Sequence, residues 1–238
     1  LVLGTSSFSL SYERNSVTGN TDVLWQDGSG RRVNITDRLD GGKIAGLIAA
    51  RDTNIDGYIN SLNTLTGELI FQVNDFHSLG VGLESVSSMT GTETILGGGA
   101  TALDATDANG NYLYAFGRHY QAGGFDIVTF DATGNVASSG TVTLAAGASV
   151  NDLIAAINLS GADVTASIDA DNHLRIVANA GTFAISDSSL GDSNNHALAI
   201  LGVNSFFTWS ASRGDFTETI GVNSYLASNS ALIAAAKL

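Results

Sequence analysis

Polar and apolar residues alternate through the first 35 positions of the chain, which is the pattern of half-buried β-strands. The apolar strand positions are Phe8, Leu10, Tyr12, Val23, Trp25, Val33 and Ile35. Residues 27–30 separate the last two apolar runs, and Gly28 and Gly30 can adopt the positive φ angles of a tight turn there. The segment therefore predicts one strand followed by a β-hairpin.

The apolar period becomes helical at Gly42 and stays helical to about residue 79. Large apolar residues recur every seven positions in this stretch, which is the spacing of a stripe along one helix face. These residues, which we call the stem seam, are Ile48, Ile55, Leu62, Leu69 and Phe76. Thr53 and Asp56 resemble a capping box, so we predict a break near Asp52 or two helices laid nearly end to end. Gly80 is expected to end the helix.

Two interpretations of the stem seam are open. It is either the core face of an ordinary globular bundle or the packing face of a rod-like subunit in a polymer. Gly57 and Gly67 lie inside the same helix, where each costs about 1 kcal/mol relative to alanine. Their presence predicts the close approach of another backbone.

Residues 125–203 predict a compact α+β unit. The expected elements are a strand at 125–130, a turn at 131–135, a strand ending at 142–144, a helix at about 150–158, a hairpin of 164–168 with 174–177, and a strand at 183–185. Ser149 as the N-cap and Asp152 three residues later predict a capping box at the start of the helix.

The remaining segments complete the predicted organisation. The glycine-rich residues around Gly97–Gly99 predict a linker, and the alanine-rich Ala227–Leu238 predicts a helix that returns to the long helix at 43–79. We predict an α+β fold in which a helical stem, the long helix plus this C-terminal return, carries β-hairpins and an inserted small α+β domain. The predicted domains are 1–88 with 204–238 (β-hairpin and helical stem), 89–124 (linker with short strands) and 125–203 (insert).

Composition narrows the possible partners. The 238 residues include ten Lys+Arg against twenty-three Asp+Glu, which gives a formal net charge of −13. Because such a chain repels phosphate, we expect proteins as partners rather than nucleic acid or an anionic membrane. The chain lacks cysteine, which excludes disulfides and thiolate metal sites. Its longest uncharged stretch, 132–151, is rich in Gly, Ser and Thr and cannot cross a bilayer.

The sequence predicts no catalytic, cofactor or metal site. The histidines are His77, His119, His173 and His196. No two of them lie three or four positions apart, and the chain contains no G-x-S-x-G nucleophile elbow. The Asp and Asn residues of 104–110 fail the EF-hand spacing, so turn chemistry explains them better. Gly97–Gly99 precede no phosphate-binding lysine.

Three stretches resemble one known family. Residues 41–52 (GGKIAGLIAARD) resemble the GG-x-L-x-x-L-x-x-x-R-D helix start of the flagellar hook-associated protein 1 family, which forms the hook–filament junction. Residues 73–80 (VNDFHSLG) resemble its V-N-x-x-H-x-x-G helix end, and 201–208 (LGVNSFFT) are similar to its L-G-I-N-x-F-F-T segment. The motif residues are Arg51, Asp52, Asn74, His77, Gly80, Leu201, Gly202, Asn204, Phe206 and Phe207. Trp209 departs from the pattern, since a small residue is expected there.

The resemblance implies a structural subunit, exported through the flagellar secretion channel and assembled outside the cell. Its implied partners are the hook protein, other hook-associated proteins and copies of itself, with an export chaperone that binds a C-terminal segment missing from this sequence. The terminal helices that join neighbouring subunits are also missing, so we expect a central fragment that is monomeric in solution. The insert resembles that of flagellin-like axial proteins and would project outward from a stem stiffened by the stem seam.

Other functions are open at this stage. Flagellin and the filament cap protein have similar inserts. A carbohydrate- or receptor-binding surface module would need a concave site in which aromatic residues converge, and the candidates are Tyr112, Tyr114, Tyr120 and Trp209. A hydrolase would need Ser, His and a carboxylate within hydrogen-bond reach of one another.

Overall fold

The computed structural model describes residues 2–3, 6–188, 194–210 and 216–236. It is a mixed α+β structure with antiparallel sheets and one long helix. The α-helices are α1 (Gly42–Ala49), α2 (Asp56–Ser78), α3 (Val150–Leu159), α4 (Ala197–Ile200), α5 (Phe216–Thr219) and α6 (Ser224–Ser228). Within the described ranges, no helix combines the length and the hydrophobicity that a membrane crossing requires.

The strands are short and pair with antiparallel neighbours. They are β1 (Val2–Leu3), β2 (Ser6–Ser7), β3 (Leu10–Arg14), β4 (Thr21–Gln26), β5 (Arg32–Asn34), β6 (Ser88–Thr90), β7 (Gly123–Phe130), β8 (Val136–Leu144), β9 (Val164–Ile168), β10 (Leu174–Ala178), β11 (Thr182–Asp187), β12 (Phe207–Thr208) and β13 (Gly221–Val222). Internal contacts divide the chain into two compact units, Leu1–Leu62 and Asn63–Leu238.

The first unit contains the predicted strand and hairpin as the sheet β3–β4–β5, in which Trp25 lies opposite Leu10 and Val33. Its described part has a very small core. The buried residues there are Leu24, Thr36 and Ala45. Most of the apolar side chains on α1 and on the start of α2 remain half exposed or more.

The helix expected from residue 43 to 79 is present with one local change. A π-helical turn, Ala50–Ile55, joins α1 to α2 at the place where a break or two helices laid nearly end to end are expected. The predicted capping box at Thr53 does not form, because the backbone stays helical through the π turn and leaves no N-cap to fill. The helix ends at Ser78, as Gly80 predicts.

In the second unit, two three-stranded sheets and α3 form the main core. The strand orders are β6–β10–β9 and β11–β7–β8, and α3 contacts β8 and β9. Ser149 and Asp152 make the predicted capping box. The fully buried apolar side chains of this core include Phe125, Ile127, Val142, Leu153, Ile157, Leu174, Ile176, Phe183 and Ile185. Every secondary-structure element predicted for 125–187 is therefore confirmed.

Four turns repeat one hydrogen-bonding pattern. In each turn the first aspartate accepts backbone N–H bonds from the second and fourth residues after it, through the same carboxylate oxygen. The turns begin at Asp27, Asp107, Asp131 and Asp169. The third residue after the aspartate has positive φ, and it is glycine in three turns and Asn172 in the fourth. These short side-chain to backbone bonds fix the hairpin connections, and residues 107–111 form one of them.

Two predictions in the second unit are wrong. Gly97–Gly99 form a tight turn in which all three residues have positive φ angles, of 58°, 62° and 88°, rather than a flexible linker. The expected C-terminal return helix is also absent from the described residues. In its place α6 is followed by a 3-10 turn, Ser230–Leu232, and extended chain that bridges Val81 to Ala236. Asn229 interrupts the helix because its φ of −143° is extended and its side chain caps the next turn.

The two helix glycines give the first testable prediction. Gly57→Ala should raise the free energy of unfolding by up to about 1 kcal/mol, since alanine is the better helix former and its Cβ would meet no described atom within 4 Å. Gly67→Ala would place a Cβ 2.9 Å from a ring carbon of Phe216. Such overpacking should lower the free energy of unfolding by about 1–3 kcal/mol. Urea unfolding followed by circular dichroism measures both.

Gly57→Ala and Gly67→Ala serve as controls for one another, because both replace glycine with alanine within α2. Equal changes in the free energy of unfolding would show that the Phe216 ring does not restrict position 67. The close neighbour at Gly67 is a ring rather than the backbone that the sequence analysis expected.

Candidate functional site

The motif residues fall into two groups, one in each unit. In the first unit, Arg51 pairs with the neighbouring carboxylate of Asp52 through its Nε and Nη2 atoms. Its Nη1 donates to the backbone C=O of Thr21 at 2.8 Å, and Asn20 donates to Asp52 at 3.1 Å. The guanidinium of Arg51 lowers the pKa of Asp52. The pair thus holds the π turn against the beginning of β4.

In the second unit, Asn74 joins α2 to the chain 133 residues further on. Its side-chain Oδ1 accepts from the backbone N–H of Phe207 at 2.7 Å, and its Nδ2 donates to the C=O of the same residue at 2.9 Å. The amide therefore satisfies both backbone groups of Phe207 as a neighbouring strand would. Asn74 is fully buried, so either bond would leave an unpaired polar group if it were lost.

His77 makes a second junction one helical turn later. Its Nε2 accepts from the backbone N–H of Ala234 at 3.0 Å, so Nδ1 carries the ring proton and donates to the C=O of Asn204 at 2.7 Å. The ring is 3% exposed, and burial lowers its pKa. His77 is thus held in the neutral form between two segments that lie far away along the chain.

Close backbone approach explains the other motif residues at this place. Asn204 has a positive φ of 50° and donates from Nδ2 to the C=O of His77 at 3.0 Å. A Cβ on Gly80 would lie 2.6 Å from the Cβ of Ala234. Gly202 also has positive φ, and a Cβ there would collide with Thr92. Gly80 and Gly202 therefore leave no room for a Cβ atom. Gly202 and Asn204 have positive φ angles, which glycine and asparagine tolerate best.

The last motif residues are apolar and complete the junction. Leu201 is fully buried, and its C=O accepts from the N–H of Glu93 at 3.2 Å. Phe206 meets the ring of His77 edge-on, with the ring centroids 5.7 Å apart. Trp209, the departure from the family pattern, packs edge-to-face on Phe116 at 4.9 Å. Asn74, His77, Gly80, Leu201, Gly202, Asn204, Phe206 and Phe207 form what we call the helix-end junction.

The sequence analysis missed a polar cluster beside this junction. His196 lies 2.7 Å from Asp75 through its Nδ1, and Asn194 donates to the same carboxylate oxygen at 2.7 Å. His119 stacks on Phe71 with the ring centroids 3.7 Å apart, and burial lowers the pKa of His119. These three contacts join residues that are 48 to 121 positions apart in the sequence, so no local spacing could have indicated them.

The stem seam does not pack into the chain itself. Ile55, Leu62, Leu69 and Phe76 are each at least half exposed, and Ile48 is half-buried. In the second unit the buried residues of α2, such as Ile70, Phe71 and Asn74, lie on a different face. The stem seam is therefore not the core face of a globular bundle in the described part of the chain.

Three of the four aromatic residues considered for a carbohydrate site are buried, and Tyr112 is 38% exposed. Tyr114, Tyr120 and Trp209 are buried in the core, so they present no aromatic surface to a carbohydrate. Among the described residues, no three His, Cys, Asp or Glu side chains lie close enough together to hold a metal ion. The arrangement can tie chain segments together, and its polar groups are occupied in doing so.

Two family models match the chain. Residues 1–93 match the flagellar hook-associated protein FlgK helical domain. Residues 127–180 match the flagellin hook IN motif, which lies inside the predicted insert. No curated protein matches the chain. The first match includes Arg51, Asp52, Asn74, His77 and Gly80, whereas the junction segment at 201–208 lies outside both matches.

The geometry of His77 predicts a pH effect. Because the folded-state pKa of His77 is lowered below its ordinary value of 6.5, its contribution to stability is present above pH 6.5 and is lost as the pH falls. His77→Ala should lower the free energy of unfolding by about 2–4 kcal/mol at pH 8, since two buried backbone groups lose their partners. It should also reduce the loss of stability between pH 7.5 and 5.5.

Urea unfolding at several pH values measures both effects. His173→Gln, which removes a histidine from a hairpin turn away from the junction, is the matched control and should keep the pH dependence of the wild type. If His77→Ala retains the full pH dependence, the ring is not the group responsible.

Glu93 should respond to pH in the opposite direction. Its carboxyl is 7% exposed without a described hydrogen-bond partner, and burial raises its pKa from 4.5 to about 7. As the pH rises, Glu93 loses its proton in the unfolded chain before it does so in the folded chain. The free energy of unfolding should therefore fall as the pH rises from 4.5 to 7. Glu93→Gln should therefore raise the free energy of unfolding by about 3 kcal/mol at pH 8 and change it little at pH 4.5. An equal gain at both values would contradict a buried acid.

Proposed function

We propose that this chain is a structural subunit of the junction between hook and filament, and the two family matches support a flagellar hook-associated protein. The matches support a structural role in the flagellum in general. The exposed stem seam is the observation that carries the more specific proposal. A subunit of an axial assembly needs a helix with one face bound to its own chain and another free for a neighbour.

In the second unit, α2 has this two-faced character. Asn74 and His77 bind their own chain through the helix-end junction, while Leu69 and Phe76 are 50% and 62% exposed. Exposed leucine and phenylalanine at a seven-residue spacing are the pattern that packs against another helix. We propose that the seam packs against helices of the assembled axial structure, where burial would stabilise each contact by about 1 kcal/mol or more.

The proposed mechanism is mechanical and includes no catalysis. The helix-end junction fixes the end of α2 to two distant segments, so a force along the helix is distributed over several hydrogen bonds. The Arg51–Asp52 pair plays the corresponding part in the first unit. The proposed domain division keeps 125–203 as an insert that projects outward from a stem of 1–88 and 204–238, with 89–124 between them.

The proposed partners follow from this place in the flagellum. They are the hook protein, other hook-associated proteins and further copies of the chain, with a flagellar export chaperone before assembly. The proposed location is the extracellular part of the flagellum. We expect this chain by itself to be monomeric. The buried positions of Tyr114, Tyr120 and Trp209 give no support to the carbohydrate-binding alternative.

Leu69→Asp tests the proposal in flagellated cells that express the protein within its full gene. Because Leu69 is half exposed, the free energy of unfolding should change by less than about 1 kcal/mol. Incorporation into flagella should nevertheless fall at least ten-fold, since a charge would enter an apolar helix contact. Immunogold labelling of isolated flagella measures incorporation, and the wild-type label should mark a single position between hook and filament.

Leu159→Asp is the matched control, because Leu159 is an exposed leucine in the insert. It should leave incorporation unchanged. Labelling along the whole filament, or at its tip, would instead assign the chain to flagellin or to the cap. Equal incorporation of the wild type and Leu69→Asp would contradict the role of the stem seam.

A further inference from the structure

A cavity of about 270 Å³ lies beside the edge strand β6 in the second unit. Its volume is near the lower end of the range for ligand pockets. Segments 80–92, 183–184, 204–205 and 223–232 contribute its walls. The walls combine apolar side chains such as Val81, Met89 and Leu226 with hydroxyl and amide groups. Gly80 and Asn204 of the helix-end junction are among the lining residues, whereas the stem seam contributes none.

The register of β6 shows which backbone groups face the cavity. Ala178 donates to the C=O of Ser87, and Gly91 donates to the C=O of Leu174, so residues 87, 89 and 91 point their backbone groups at β10. In an antiparallel pair the alternate residues point the other way. The N–H and C=O groups of Ser88 and Thr90 therefore face outward, and both residues line the cavity. Among the described residues these groups have no partner.

The chain itself covers the outward edge before this short opening. Val86 exchanges backbone hydrogen bonds with Phe183. Beyond that point, Ser88 and Thr90 offer two donors and two acceptors at the spacing of a β-ladder. The opening therefore has room for one short extended strand.

Two further features of the cavity indicate the chemistry of a ligand that would bind there. The hydroxyl oxygen of Thr92 is buried at the cavity without a described partner, so it offers one more polar contact. Glu84 is the one charged side chain among the described lining residues. Because the site is acidic and the chain carries a net charge of −13, an acidic occupant would be repelled.

We propose that this cavity is a binding site for an extended peptide segment of another protein, which adds as a strand to the edge of β6. The backbone of the peptide bonds to Ser88 and Thr90, an apolar side chain enters between Met89 and Leu226, and a lysine or arginine lies near Glu84. Main-chain bonds provide the affinity in this mode of recognition, and the side-chain contacts provide the selectivity. The site is independent of the proposed packing of the stem seam.

The test uses the whole chain and random hexapeptides displayed on phage. Enriched peptides should alternate apolar and polar residues and contain a lysine or arginine. A synthetic copy of an enriched peptide should shift the amide NMR signals of Ser88 and Thr90. N-methylation removes backbone N–H donors from the peptide. N-methylation of two alternate residues whose N–H groups face β6 should weaken binding at least ten-fold. N-methylation of the residues whose N–H groups lie on the other edge should change binding little.

Two threonine variants locate the site. Thr90→Trp places a large ring in the cavity from an exposed position, whereas Thr94→Trp makes the same change at an exposed residue that does not line it. Circular dichroism should show that both fold. Peptide binding should fall at least ten-fold in Thr90→Trp alone. The proposal is overturned if no peptide is enriched, if both variants bind equally, or if N-methylation of either edge has no effect.

Discussion

The structure depends on the pairing of buried side-chain amide and imidazole groups with backbone far away in the sequence. Asn74 satisfies both backbone groups of Phe207, and His77 joins the C=O of Asn204 to the N–H of Ala234. A buried backbone group left without a partner costs about 1–3 kcal/mol. The end of α2 and the two returning segments are therefore held together by hydrogen bonds that are costly to break.

Interactions between residues that are close in the sequence explain why the elements of 125–187 could be predicted. The elements of 125–187 follow from alternation, from the capping box at Ser149 and from aspartate turns, all of which act within a few residues. Motif spacing also indicated that Asn74, His77 and Asn204 matter. Their partners could not be predicted, because a bond between residues 127 or more positions apart leaves no periodic trace. The same limit hid the contact of His196 with Asp75.

The wrong predictions share a cause. Alanine-rich composition favours a helix at 227–238, yet capping by Asn229 and the bonds of Ala234 and Ala235 to α2 and Val81 hold the chain extended. Helix propensity amounts to tenths of a kcal/mol per residue, so a few tertiary hydrogen bonds exceed it. The glycine-rich composition at 97–99 likewise predicts flexibility. The freedom of these glycines to adopt positive φ instead permits a compact turn close to Asn151.

The separation of the two faces of α2 has a consequence for assembly. A subunit that folds before its partners arrive cannot use the same side chains for its own core and for its interface. In the second unit, Ile70 and Phe71 are buried in the chain, whereas Leu69 and Phe76 stay at least half exposed. Because Leu69 and Phe76 stay at least half exposed in the folded chain, burying their exposed surface would stabilise a contact with another helix. The packing proposed for the stem seam would therefore need no rearrangement of the buried residues of α2 in the second unit.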